Sequence, residues 1–248
     1  MRGKDRRPAV VDTGMFGFNR PTPMVTRDEA LPGRAEPLPH LAQHHEVLDA
    51  PLHGPFGDGI EVIYLAGGCF WGIERIFWKL DGVHSTAAGY IGGFTPNPTY
   101  EETCTGRTGH AEAVMVAYAP SRIGVDRLVA TFFENHDPTT LNRHGNDVGT
   151  QYRSAVYWTT PEQGEAVVAA RDAFQQVLSA AGHGVITTEL RPAAEAGEFY
   201  YAEPLHQQYL AKNPGGYCNH GPNGYTCPVG LVSADGVPAQ TDVEPPRL

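Results

Sequence analysis

A run of apolar residues that stops on two glycines and restarts as a helix does most to limit what this chain can fold into. IEVIYLAGG, residues 60 to 68, is short and ends at Gly67 and Gly68. That is the form of a buried strand. It passes at once into CFWGIERIFWKLDG. There Ile73, Ile76, Phe77 and Leu80 take the i, i+3, i+4, i+7 spacing of one helix face, and Gly82 stops the helix. Cys69 therefore sits at a strand-to-helix joint, near the helix N-terminus.

The pattern continues in the same alternating manner. Residues 84 to 109, rich in Gly, Pro and Thr, read as a loop. HAEAVMVAYAP reads as a strand over residues 111 to 118. VDRLVATFFENHD places Val125, Leu128, Val129, Phe132 and Phe133 on one helical face. Residues 137 to 153 form a second polar loop, and SAVYW, residues 154 to 158, a further strand. Thr160, Pro161 and Gln163 start a helix as N-cap, first-turn proline and capping-box partner. Val167, Ala170, Phe174 and Leu178 carry its stripe, and Gly182 caps it. GVITTEL reads as a strand and HQQYLAKNP as a short helix ending before Pro214. The expected fold is α+β: a mixed α/β sandwich with a ferredoxin-like core, long loops and an irregular C-terminal tail. Loops of that length point to functional use. The expected organisation is an irregular extension over residues 1–58, a catalytic domain over 59–212 and a Gly/Pro-rich tail over 213–248. Much of the extension is expected to lie over the domain surface, with its first dozen residues mobile.

Charge narrows the function. The 248 residues carry 18 basic and 28 acidic side chains, a net charge of -10. Such a surface disfavours nucleic acid and anionic membranes as partners. No run approaches the roughly 18 apolar residues of a membrane span. The basic start MRGKDRRPAV is not followed by an apolar stretch, so no secretory signal is read and the expected compartment is the cytoplasm. A monomer is the expected state.

The four cysteines are Cys69, Cys104, Cys218 and Cys227. In a reducing compartment such thiols are inert core residues, metal ligands or redox groups. A helix N-terminus lowers a thiol's pKa through its exposed N–H groups and dipole, which would favour a reactive thiolate at Cys69. On position alone the plainer reading, a buried inert thiol, is equally open. A structural zinc site from Cys218, His220 and Cys227 lacks a paired C-x-x-C and a clear fourth ligand. A Cys69 acyl-transferase would need a partner base, and no histidine stands out as one. His110, His136 and His206 read as structural hydrogen-bonding residues.

GCFWG, residues 68 to 72, resembles the active-site signature of the A-type peptide methionine sulfoxide reductases. The resemblance continues through GYIGGFTPNPTYEETCTGRTGHAEAV (89 to 114), ENHDPTT (134 to 140), GNDVGTQYRSAVY (145 to 157), FYYAEPLHQQYLAKNP (199 to 214) and GYC (216 to 218). It spans about residues 55 to 220, in order. Phe94 stands where the family often has Tyr.

The resemblance implies the following roles. Cys69 is the nucleophile, and Phe70 and Trp71 form the pocket for the sulfoxide methyl group. Glu112 is the acid that protonates the sulfoxide oxygen. Tyr100 and Tyr152 hydrogen-bond that oxygen, and Asp147 is the polar residue linked to them. Cys218 is the resolving cysteine and Cys227 a second recycling cysteine, while Cys104 matches no catalytic position. The implied reaction reduces methionine S-sulfoxide, free or in oxidised proteins, through a sulfenic acid and disulfide exchange with a thioredoxin-like dithiol. It implies no bound cofactor and no metal. The chemistry fits the residue types: expelling oxygen from sulfur needs an acid of raised pKa, and a sulfenic acid condenses with a nearby thiol.

Overall fold

In the computed structural model the described residues are 23–228. The expected mobility of the first dozen residues, and the tail beyond residue 228, lie outside them. Two short strands, β1 (His44–His45) and β2 (Ala50–Pro51), pair as a hairpin within the N-terminal segment. Next come β3 (Glu61–Gly67), α1 (Phe70–Phe77), β4 (Val83–Ile91), α2 (Tyr100–Cys104) and β5 (Ala111–Tyr118). They are followed by α3 (Val125–Glu134), the small hairpin β6 (Arg143–His144) and β7 (Asp147–Val148), and β8 (Ser154–Trp158). The chain then forms α4 (Pro161–Ala180), β9 (Glu189–Pro192), α5 (Ala193–Ala196), β10 (Tyr200–Tyr201) and α6 (Tyr209–Lys212).

One six-stranded sheet organises these elements, in the order β10-β4-β5-β3-β8-β9. Every pairing is antiparallel except β8 with β9, which α4 joins as a parallel crossover. Its inner four strands run β4-β5-β3-β8 with α1 and α3 as connections. That is the βαββαβ order of a ferredoxin-like core.

Strand alternation divides the side chains between two layers. Ile63 and Leu65 of β3, Val114 and Val116 of β5, and Val156 of β8 pack with Phe77, Phe132, Phe133 and Phe174 on the helical face. Ala66, Ala113, Met115 and Tyr157 face the other way. There they meet Leu52, Phe56 and Phe199. The N-terminal segment thus supplies part of the second layer. Among the described residues, no helix is long and apolar enough to cross a membrane.

Two local expectations are overturned. Residues 84 to 109 are not a loop: they contain β4, a long interior strand, and the helical turn α2. VHSTAAGYI carries little apolar alternation because nearly all of it is buried on both sides, and small residues fit there. At Gly89 an added Cβ would lie 2.4 Å from both the Phe199 ring and the Tyr200 carbonyl oxygen. The strand expected at GVITTEL begins only at Glu189. Before it, the Ile186 N–H bonds Gln175 Oε1 and the Thr187 N–H bonds the Pro138 carbonyl, so neither is left for a ladder.

Candidate active site

The joint read from sequence is where the site forms. Gly68 has φ +104°, and a Cβ there would lie 2.5 Å from His144 Cβ. Both facts require glycine. The turn leaves Cys69 as the N-cap of α1, 5% exposed. Its thiol is not lowered as a helix N-terminus alone would suggest: it is pushed well above the usual cysteine range. Burial is the main cause and the Glu112 carboxylate the next, with Asp147 adding to the rise. The Trp71 and Gly72 N–H groups pull the other way and lose.

Glu112 is the second residue of β5 and shares the face of Val114 and Val116, so it points towards α1. It is 1% exposed. Its Oε2 accepts the Phe70 N–H at 3.1 Å, the first free donor of α1. Its Oε1 is buried without a hydrogen-bond partner. Burial raises this carboxyl to about 8, against which the Phe70 N–H is a small correction. At neutral pH it is therefore mostly a neutral acid.

Aromatic rings wall the space above the joint. Phe70 is fully buried and Trp71 half-buried. Tyr100 stacks 6.1 Å from Phe70 and 6.3 Å from Trp71, and Tyr209 covers Trp71 at 4.0 Å. The Trp71 indole N–H donates to His206 Nδ1 at 3.2 Å, and His206 packs 4.3 Å from Tyr100. Tyr100 and Tyr152 are both phenols held protonated by burial, and the Glu112 charge adds to this where that carboxyl is ionised. The Cys104 thiol, to which no role was assigned from sequence, is raised chiefly by burial, with the Tyr100 and Tyr152 hydroxyls pulling the other way.

Asp147 does not bond either of these tyrosines by a described contact. It accepts from the Tyr217 hydroxyl at 3.1 and 3.2 Å and from Asn219 Nδ2 at 3.1 Å. Its link to Tyr152 is the field of its charge. The tail is thereby docked over the joint. His220 Nε2 bonds the Gly67 carbonyl at 2.8 Å, and His220 occupies the space that a Cβ on Gly72 would fill, 2.2 Å from Nδ1. Cys218 Sγ accepts from Arg75 Nη2 at 3.0 Å. Cys227 is brought elsewhere. It is buried against the Ala170 carbonyl of α4, with its N–H on Glu134 Oε1 of α3. No disulfide joins the three cysteines assigned to the reaction. Among the described residues no group of three or more His, Cys, Asp or Glu side chains could hold a metal ion.

His110 and His136 have structural partners, Thr95 and Gly93 for one, Phe132 and Ser154 for the other. Sequence reasoning missed Glu203. Its carboxylate accepts the Tyr100 N–H at 2.8 Å and the Tyr90 hydroxyl at 3.1 Å, so it fixes the start of α2. It also missed Arg75, His144 and Tyr217. Only their places in or near the motifs GCFWG, GNDVG and GYC could have singled them out.

Known proteins with this arrangement are readily found. The family model described as peptide methionine sulfoxide reductase matches residues 61–226. A protein of Salinispora arenicola named peptide methionine sulfoxide reductase MsrA is 56% identical over 224 residues, 90% of this chain and all of that protein. One of the same name from Rhodospirillum centenum is 57% identical over 223 residues, again 90% of this chain and all of that protein. Among solved structures, methionine sulfoxide reductase A of Corynebacterium diphtheriae superposes with a TM-score of 0.75 at 48% identity. That match covers 83% of this chain and 98% of the other.

Proposed function

Since the chain belongs to the A-type peptide methionine sulfoxide reductase family and so is a thiol-dependent oxidoreductase acting on methionine sulfoxide, we propose that Cys69 and Glu112 together carry its chemistry. One observation above others supports this: a fully buried carboxyl, neutral at pH 7, with one oxygen left unpartnered beside the nucleophile. A buried acid with a spare oxygen is otherwise a cost to stability without return.

In this reading the sulfoxide methyl group lies against Phe70 and Trp71. The oxygen points to Glu112 Oε1 and to the Tyr100 and Tyr152 hydroxyls, and the sulfur faces Cys69. The thiolate attacks sulfur as Glu112 gives its proton to the oxygen, so an S–S bond forms and the sulfoxide oxygen becomes a hydroxyl; that hydroxyl then passes to the Cys69 sulfur as the S–O and S–S bonds to the methionine sulfur break, the electron pair staying on methionine. Methionine leaves, and Cys69 holds the oxygen as S–OH. The raised Cys69 thiol and the raised Glu112 carboxyl have a common origin. Each is pushed up by burial, and the Glu112 charge raises Cys69 further; with Glu112 protonated that part of the penalty disappears.

Cys218 then condenses with the sulfenic acid. Cys227 exchanges into that disulfide and a dithiol of the thioredoxin class reduces the result. The seat of Cys227 between α3 and α4 means that residues around it leave their packing before exchange. The expected substrate is the S epimer, both as the free amino acid and in polypeptides. Exposed Val148 and Tyr217, flanking Asp147, support contact with a polypeptide.

Assay of Cys69→Ser and Glu112→Gln with a dithiol on separated R and S sulfoxides tests the assignment. Turnover of the S epimer is expected to vanish for the first and to fall at least about a hundredfold for the second. Normal turnover by either would remove that residue from the scheme.

A further inference from the structure

Arg75 lies in α1, six residues beyond the nucleophile. Its Cα is about 9 Å along the helix axis from Cys69, and a helical side chain leans back towards the N-terminus. Among the described residues no carboxylate lies within ion-pair distance of it. In a chain of net charge -10 that is an unusual state for a half-buried guanidinium. Its described hydrogen bond is to Cys218 Sγ, at 3.0 Å. The neighbours of Cys218 are fixed independently, Tyr217 and Asn219 on Asp147 and His220 on Gly67. The backbone there is held without Arg75. What the guanidinium adds is a positive donor on one sulfur atom.

We propose that Arg75 is a positioning residue for the second half-reaction, holding the Cys218 sulfur in place for its attack on oxidised Cys69. The inference rests on the reading of Cys218 as the resolving cysteine. A thiolate is the attacking form in exchange chemistry, and a charged donor fixed on the sulfur keeps it at one place and orientation beside α1. In the step, the Cys218 thiolate attacks the Cys69 sulfenic sulfur. An S–S bond forms and the S–O bond breaks. Cys218 is oxidised and the Cys69 sulfur reduced, each ending in the disulfide. The oxygen leaves as water, with the sulfenic proton and one proton from solvent. Once its sulfur is in the disulfide, Cys218 leaves its place on the guanidinium, and the tail then moves towards exchange.

A single turnover without reductant separates the steps. The enzyme is mixed with one equivalent of a methionine sulfoxide peptide. Methionine, the Cys69–Cys218 disulfide and dimedone-trapped sulfenic acid are then followed by mass. Arg75→Met keeps the aliphatic stem. It is expected to form one equivalent of methionine at the normal rate. Disulfide formation should be about tenfold slower, the scale of one charge-assisted hydrogen bond, and sulfenic acid should accumulate at Cys69. Arg75→Lys should restore the disulfide rate to within about threefold, since it returns the charge without the planar fork. A disulfide rate within twofold of normal in Arg75→Met overturns the inference. So does an equal slowing of methionine release, which would mark Arg75 as a support for the Cys69 turn. Cys218→Ser tests the underlying reading separately: if it traps no sulfenic acid, Cys218 is not the resolving cysteine, whatever Arg75 does.

Discussion

Glu112 shows how one buried carboxyl trades stability for chemistry. Folding raises it from the ordinary 4.5 to about 8, so the folded chain holds this proton more tightly than the unfolded chain. The stabilisation from that proton is complete below about pH 4.5 and is lost as pH rises to 8. By pH 7 the loss amounts to about 3 kcal/mol. Glu112→Gln cannot ionise, so it should be more stable than the parent at pH 7 by about 2 kcal/mol and no more stable at pH 4. Urea unfolding at the two pH values measures this, and an equal difference at both would contradict it. The same residue illustrates what could be read beforehand. Its identity as an acid on an apolar strand was visible between Ala111 and Ala113. Its free Oε1 and the capture of Oε2 by the Phe70 N–H were not, because they depend on where α1 lands on β5. The sign of the Cys69 shift was misjudged for the same reason: a helix dipole is local, but desolvation is set by everything packed around it.

The elements were legible where their period was strong. Helix α4 begins at Pro161 behind a Thr160 cap that accepts the Gln163 N–H, as its sequence indicates. Gln163 itself turns to the Thr159 N–H rather than closing a box on Thr160. Strand β4 was invisible, since its small residues answer to Phe199 and Tyr200 from more than a hundred residues away. The docked tail belongs to this scale. It is keyed by a missing side chain: Gly72 leaves the slot that His220 fills. Gly72→Ala should expel His220, free residues 217 to 227 to faster hydrogen exchange, and slow disulfide formation more than methionine release. Unchanged exchange in that segment would mean that the slot is not the anchor. Acid should do the same to the parent. His220 is lowered from 6.5 to about 3, chiefly by burial and then by the His144 charge. Its seat therefore stabilises the tail above pH 6.5 and loses that contribution as pH falls towards 3. Tail exchange, corrected for intrinsic rates, should rise below about pH 5.

At the scale of the whole molecule the N-terminal segment matters most. Leu52 is fully buried in the second layer, and His45 is fully buried with Nε2 on Thr86 Oγ1. Thr86 in turn donates to Glu74 of α1, whose carboxyl also holds the Gln208 N–H and side chain ahead of α6. A chain of contacts thus runs from the segment through β4 to the helix that carries the nucleophile. We expect a chain that starts at Ile60 to lose both the second layer and this connection. Leu52→Ala is the gentler test, with an expected loss of about 2–4 kcal/mol in chemical denaturation and little change in turnover at 25 °C. A loss below 0.5 kcal/mol would show that the segment is a removable cover.

The sequence by itself determined the strand–turn–helix joint, the thiol at it, the order of the motifs and, through them, the reaction. Those are short-range matters, settled by periodicity, by glycines at turns and by residue types within a few positions. Only the tertiary structure decided which charges meet. It set Glu112 beneath α1, Asp147 on the tail rather than on Tyr100 and Tyr152, and Arg75 against Cys218. Such pairings come from sheet order and from loops that cross it. Hydrogen bonds and pKa values follow distance in space, which a linear pattern does not encode.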